Sequence, residues 1–304
     1  MATATLNLAD LLEKYNCDDK CRTYLEELRW PKGPVCPKCD KKNTMRVGGR
    51  ESVVRCKDCN AQFTVTTGTI FHDSHLPLTK WFVATCLICE AKKGMSALQL
   101  KRLLGVGYKT AWYLTHRIRQ AMMNANGASD QLTGTVEIDD TLVGGKDPFS
   151  PRGDKAVVVG ITERGGKLRL MVVEDLTSDS IRKAVKKWVS KDLELIVSDS
   201  LRAYVPAIGP IYRQKYTRVN KSQPYLDAAG QNTNCIENRF SLLKRGIVGS
   251  WHKVSVKHLQ RYLEEVSYRF SQRKNSAQFS ETLLALLATD PLTFDQLTAK
   301  KTAA

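Results

Sequence analysis

Val136-Glu137-Ile138-Asp139-Asp140-Thr141-Leu142-Val143-Gly144-Gly145-Lys146 is the stretch whose reading decides the fold. Apolar residues at every second position predict a strand. It carries Asp139 towards its end, and the glycine pair then lets the backbone turn. A lone aspartate at a strand end is commonly a turn former. This one has company. A second apolar run, Leu193-Glu194-Leu195-Ile196-Val197-Ser198, delivers Asp199 in the same way. Farther on, Asn234 to Arg245 reads as a helix with Asn234, Glu237, Ser241 and Lys244 along one face. Three carboxylates on two strand ends and a helix are candidates for holding a pair of divalent ions, an arrangement suited to phosphodiester chemistry. The plainer alternative is three ordinary polar residues at element ends.

Around that stretch the pattern predicts strands at about Thr135–Val143, Ala156–Thr162 and Leu168–Leu176. An amphipathic helix over Ser178–Val189 follows, then a fourth strand at Glu194–Val197 and a fifth within Tyr212–Val219. Three consecutive strands, a crossover helix and a further strand describe a mixed α/β sheet. With acids at neighbouring strand ends, that order resembles the RNase H-like fold. Lys146 to Asp154, with two prolines and a glycine, is expected to be a mobile loop beside the first acid. From Val256 the chain turns helical, with His258, Leu259, Tyr262, Leu263, Val266 and Phe270 on one face. Arg261, Arg269, Arg273 and Lys274 decorate that helix, and a short helix follows over Leu283–Leu287.

Upstream, Leu6 to Leu28 is expected to be one helix holding Cys17 and Cys21 as buried thiols. Trp30-Pro31-Lys32-Gly33-Pro34 ends it. Cys36-Pro37-Lys38-Cys39 and Cys56-Lys57-Asp58-Cys59 stand sixteen residues apart around Gly48-Gly49. Two such knuckles on a hairpin, in polar surroundings where an apolar thiol gains little, predict a four-thiolate zinc site. A ribbon this small cannot bury a core of its own, so the metal supplies most of its folding energy. Its lysines and arginines suit DNA phosphates and a solvated face equally. His72 and His75 read as loop histidines, and Cys86 and Cys89 as core residues of a helix starting near Pro77. Ser96 caps a short helix to Leu104, Gly105-Val106-Gly107 turns, and Tyr108 opens a second helix to Met122. This is a helix-turn-helix layout, which makes Tyr108, Lys109 and Arg117 candidates for DNA contact, with Trp112 and Ile118 packing inward. A plain helical bundle is the alternative.

These elements divide the chain into a helical segment at 1–31, a zinc ribbon at 32–72 and a helix-turn-helix region at 73–126. A catalytic domain at 127–255 and a helical segment at 256–304 follow. The polar stretch Asn124–Thr133 marks the boundary into the catalytic domain. The 304 residues carry a formal charge of +16, which favours a polyanionic partner, nucleic acid first. The longest apolar run, Trp81 to Cys89, falls well short of the roughly 20 residues that span a bilayer. With no signal-like start, and two Cys-x-x-Cys pairs among the nine cysteines pointing to metal rather than disulfides, a cytoplasmic protein, nucleoid-associated when on DNA, is expected.

Taken together, the two knuckles, Val136-Glu137-Ile138-Asp139, Val143-Gly144-Gly145-Lys146, Ser198-Asp199, Asn234-x-Ile236-Glu237 and Leu243-Lys244-Arg245-Gly246 resemble a family of bacterial insertion-sequence transposases. These have an N-terminal zinc ribbon and an ISXO-like DDE core. The resemblance implies a DNA transposase dependent on Mg²⁺ or Mn²⁺ as well as Zn²⁺, with Asp139, Asp199 and Glu237 as its acidic triad. It implies DNA contact by Lys244, seven residues after Glu237, and by the adjoining Arg245. Asn234 is a lesser candidate for the metal site. Two departures are Asp140, where relatives commonly have Glu, and Asn232, where many have His. The implied partner is double-stranded DNA, as transposon terminal inverted repeats and as target, bound by a homo-oligomer. Two other readings make different predictions. A DNA-binding regulator with an inactive core would bind without cutting, and a structure-selective nuclease would cut without joining.

Overall fold

A computed structural model describes residues 7–127, 131–144, 155–219 and 231–299. Contacts divide the chain into two compact units. One holds the chain up to Ala91, Met95–Ala125 and the chain from Asn275; the other holds Lys92–Gly94 and Asn126–Lys274.

In the first unit, the expected opening helix is two: α1, Leu8–Lys14, and α2, Asp18–Arg29. The break at Tyr15–Cys17 turns the Tyr15 ring onto Phe82 (centroids 5.1 Å apart). It also leaves Cys17 exposed at the helix start, contrary to the buried thiol expected, while Cys21 is buried. Three strands, β1 (Thr44–Val47), β2 (Arg50–Cys56) and β3 (Gln62–Phe63), form an antiparallel ribbon. Arg29 ties α2 to the segment after it, donating to the carbonyls of Val65 (2.7 Å) and Thr67 (2.9 Å). Helix α3, Leu78–Glu90, buries Trp81, Phe82, Cys86 and Cys89. Ser96 caps α4, Ala97–Leu104, by accepting from the N–H of Gln99. Gly105, in the left-handed region at φ +61°, ends it, and α5 runs over Tyr108–Gly127. α5 thus continues four residues into the stretch expected to be a polar boundary, Asn124–Gly127.

The second unit is built on a five-stranded sheet: β4 (Thr135–Val143), β5 (Ala156–Glu163), β6 (Leu168–Val173), β7 (Leu195–Ser198) and β8 (Tyr216–Arg218). Its order is β6-β5-β4-β7-β8; the first three strands are antiparallel, and β7 and β8 run parallel to β4. This is the RNase H-like arrangement expected. Helix α6, Ser178–Trp188, and α7, Tyr204–Tyr212, cover one face, where Val136, Ile138, Val159, Ile161 and Ile196 are buried. α7 was not foreseen. It contains Pro210, which cannot donate to the carbonyl of Pro206 one turn earlier. Arg182 from α6 does so instead, at 2.7 Å.

α8, Asn234–Gly246, and α9, Val256–Gln272, cover the other face, joined by a π-helical turn at Ile247–Trp251. Ile236, Phe240 and Leu243 pack there with Val158, Leu168, Leu170, Leu259 and Leu263. The helices expected as one C-terminal segment are divided. α9 lies on β6, whereas α10, Gln278–Ala288, packs on α2 and α3 in the first unit, and a short α11, Phe294–Thr298, follows. The loop expected over 146–154 lies outside the described residues. Among the described residues no helix is long and apolar enough to cross a membrane.

Candidate metal centres and active site

The zinc knuckles close as their spacing predicts. Cys36 and Cys59 sulfurs lie 3.6 Å apart, as do those of Cys39 and Cys56, and all four are within 4.8 Å of one another. A tetrahedron with Zn–S bonds of about 2.3 Å has edges of about 3.8 Å, so the four thiols fit zinc. Burial works against charge at Cys36, but the N–H groups of Lys38 and Cys39 and the neighbouring thiols outweigh it and bring Cys36 down to about 7. A thiolate is therefore at hand at neutral pH.

The second centre is assembled on β4. Alternation along the strand sends Val136 and Ile138 to the α6–α7 face, and hence Glu137 and Asp139 to the α8 face. Asp139 is 5 % exposed and stands in mid-strand, not at its end. What ends there is the pairing with β7, whose last partners are Ile138 and Ser198. Asp199 follows Ser198 as Asp139 follows Ile138, so each aspartate comes directly after the last residue that pairs the two parallel strands. Asp139 accepts from the N–H of Asp140 (2.9 Å), and Asp199 from that of Leu201 (3.0 Å). On the other face the Tyr204 hydroxyl donates to Asp140 (3.1 Å). Burial, then the charges of Asp140, Asp139 and Asp199, raises that hydroxyl above its ordinary value and keeps it a donor.

Glu237 rides on the first turn of α8, exposed, and accepts from the Thr233 hydroxyl (3.4 Å). The buried residues of α8 are Ile236, Phe240, Leu243 and Gly246, which leaves Asn234, Glu237, Ser241 and Lys244 on its exposed side, with Arg245 beside them. What holds the helix to the sheet was not read from the sequence. Glu137, fully buried, accepts from Arg164 Nε (2.8 Å) through one oxygen and from the N–H of Ile236 (3.0 Å) through the other. Two charged residues two apart on one strand, Glu137 and Asp139, are the signal that could have drawn notice. Asn232 accepts from the N–H of Asn234 (3.1 Å) and so helps start α8.

Hard oxygen donors of this kind suit Mg²⁺ or Mn²⁺ rather than zinc. Among the described residues, only the four cysteines are drawn together tightly enough to hold an ion as they stand. Asp139 points to the sheet face that α8 covers, and Glu237 stands on the exposed side of that helix.

In the first unit Tyr108 and Lys109 are exposed at the start of α5. Arg117 is not. It is 4 % exposed, stacked over the rings of Trp81 (5.0 Å) and Tyr113 (5.1 Å), and donates to the His72 carbonyl (2.7 Å). The expectation that it contacts DNA is withdrawn: two turns into the helix its side chain points into the core, not out of the turn. Ile118 is buried as expected, and Trp112 is half-buried.

An RNase H-like sheet in one unit and a four-cysteine ribbon in the other are the two parts of a zinc-ribbon transposase of the DDE class. Residues 131–271 match the ISXO2-like transposase domain, and residues 16–62 match the transposase zinc-ribbon domain; the chain belongs to this family of insertion-sequence transposases. It is also 28 % identical over 216 residues to an uncharacterized protein in the transposable element ISH50 of Halobacterium salinarum, a match covering 64 % of this chain and 71 % of that one.

Proposed function

We propose that the protein cleaves the ends of a mobile DNA element and joins them to target DNA, with Asp139, Asp199 and Glu237 holding two divalent ions. The observation that carries this reading is that Asp139 and Asp199 come directly after Ile138 and Ser198, the last paired residues of β4 and β7, while α8, which bears Glu237, packs over the face of β4 to which Asp139 points. When bound, the ions supply charge stabilisation for in-line displacement at phosphorus, first by water and then by the freed 3′ hydroxyl of the element end.

The chain's own groups place the substrate. Lys244 and Arg245, on the exposed side of α8 beyond Glu237, hold phosphates near the carboxylates. Tyr108 and Lys109, with the ribbon, hold the terminal inverted repeats, and the net charge of +16 adds affinity that does not depend on sequence. Asp140 stays bound to Tyr204 behind the strand, which fixes Asp139 from the far side. No side-chain nucleophile is required, so none is assigned. Joining two ends in one event calls for at least two copies on DNA, inside the cell and away from membranes.

The test uses the zinc-loaded full chain, a labelled duplex from the DNA flanking its gene, Mg²⁺ and a plasmid target. Cleaved ends and joined products are expected, and Asp139→Ala should lose both while keeping duplex binding. Binding without metal-dependent cutting would leave a regulator; cutting without joining would leave a nuclease.

A further inference from the structure

We infer that Glu137 and Arg164 are positioning residues that set the reach of Glu237, a deeper statement of the proposed centre and one that rests on it. Glu137 is fully buried two residues before Asp139, on the same side of β4. Both of its oxygens are taken: one by Arg164 Nε at 2.8 Å, the other by the N–H of Ile236 at 3.0 Å. Ile236 is the residue immediately before Glu237, so the pinned amide lies one peptide unit from the third carboxylate. The same guanidinium donates through Nη2 to the carbonyl of Asn232 at 3.0 Å, and its own N–H is fixed to the Thr135 carbonyl at 2.9 Å. One acid and one arginine thus join strand β4, the turn after β5 and the entry to α8.

Apolar packing alone does not do this. The contact of Ile236 and Phe240 with Gly160 sets how close α8 lies to the sheet, but non-directional contacts let a helix slide or rotate. Hydrogen bonds to two oxygens of one carboxylate fix direction. A buried charge is an expensive way to satisfy one helix N–H, since a serine or asparagine cap does so at the surface. The expense is understandable if both oxygens must be used, one per element, and if negative charge at the helix start is favoured. With both oxygens engaged, Glu137 is a support for the centre and not a ligand in it.

The experiment compares the wild-type chain, zinc-loaded, with Glu137→Gln, Arg164→Lys and Asp139→Ala. Mn²⁺ binding is read without DNA from the free-ion signal in electron paramagnetic resonance. The Mg²⁺ concentration for half-maximal cleavage is read separately from the rate at saturating Mg²⁺. Support for positioning residues around metal ligands is typically worth about 10- to 100-fold in affinity. Glu137→Gln is expected to weaken Mn²⁺ binding about 10-fold and raise the half-maximal Mg²⁺ equally, with the saturated rate largely restored. Arg164→Lys keeps the charge but loses the fork and should fall between the two. Wild-type affinity for Mn²⁺ in both variants would overturn the inference, as would a loss of rate that saturating metal does not restore. If Glu137→Gln does not fold, Arg164→Lys decides by the same readouts. Wild-type protein with no Mn²⁺ site that Asp139→Ala removes would instead sink the proposed centre itself.

Discussion

Asp139 and Gly160 face each other across the β4–β5 ladder, on the side of the sheet that α8 covers. A Cβ on Gly160 would lie 2.7 Å from the Phe240 ring and 2.8 Å from the Ile236 side chain. The absence of that one carbon lets the helix bearing Glu237 settle opposite the strand bearing Asp139. Gly160→Ala should therefore lower stability by about 1–3 kcal/mol. Cleavage should fall further than that loss accounts for, as α8 lifts from β4. Urea titration beside a cleavage assay under fully folded conditions checks both.

Removing zinc should unfold the ribbon while leaving the sheet of the second unit formed. The ribbon's buried residues are few, and the metal's binding energy is its folding energy. A Cys56→Ser chain is expected to lose its bound zinc, bind element-end duplex weakly and keep its α/β circular dichroism. Zinc assay and duplex titration measure the first two.

Arg117 and Lys109 lie on one helix and should behave in opposite ways. Lys109→Ala removes an exposed charge and should weaken duplex binding, reducing the slope of log K against log salt by about one. Arg117→Ala removes a buried cation stacked on two rings and bonded to a carbonyl, and should cost about 2–3 kcal/mol of stability. Its salt slope should stay at the wild-type value.

The Tyr204 hydroxyl gives a dependence on alkaline pH. Burial, then the charges of Asp140, Asp139 and Asp199, raises it in the folded state. The unfolded chain therefore releases this proton first, near its ordinary pKa of about 10. The stability it contributes is fully present below that pH and is lost as pH rises above it. Tyr204→Phe should flatten the decline between about pH 9.5 and 11. It should also cost about 1–2 kcal/mol at pH 8, because Asp140 loses its donor. Denaturant unfolding at a series of pH values reads both effects.

The elements legible in the sequence were those whose signals are local. β4 falls at Thr135–Val143 as its alternation predicts, Ser96 caps α4, and the knuckle spacing gives the four-cysteine cluster. α7 was hidden because Pro206 and Pro210 argue against a helix; what rescues it is Arg182, from another element, on the Pro206 carbonyl. Arg117 misled for a related reason: a basic residue on a basic helix gives no sign that Trp81 and Tyr113 await it. The Glu137–Arg164 link joins residues 27 apart and reaches a helix 99 residues away, so no window of neighbouring residues contains it. The parallel pairing of the two apolar runs, which ends at Ile138 and Ser198 just before Asp139 and Asp199, is a long-range register that neither run states by itself.

The path of the chain has a consequence for shortened products. α10 closes the N-terminal core: Phe279 meets the Phe82 ring at 5.7 Å, Thr282 lies 3.3 Å from the Cys89 sulfur, and the Leu286 carbonyl accepts from the N–H of Ile70. A message that stopped before residue 275 would yield a ribbon and helix-turn-helix with one wall of their shared interior missing. Internal stops or frameshifts in copies of this gene should thus leave unstable debris, not a free-standing DNA-binding competitor of the intact protein.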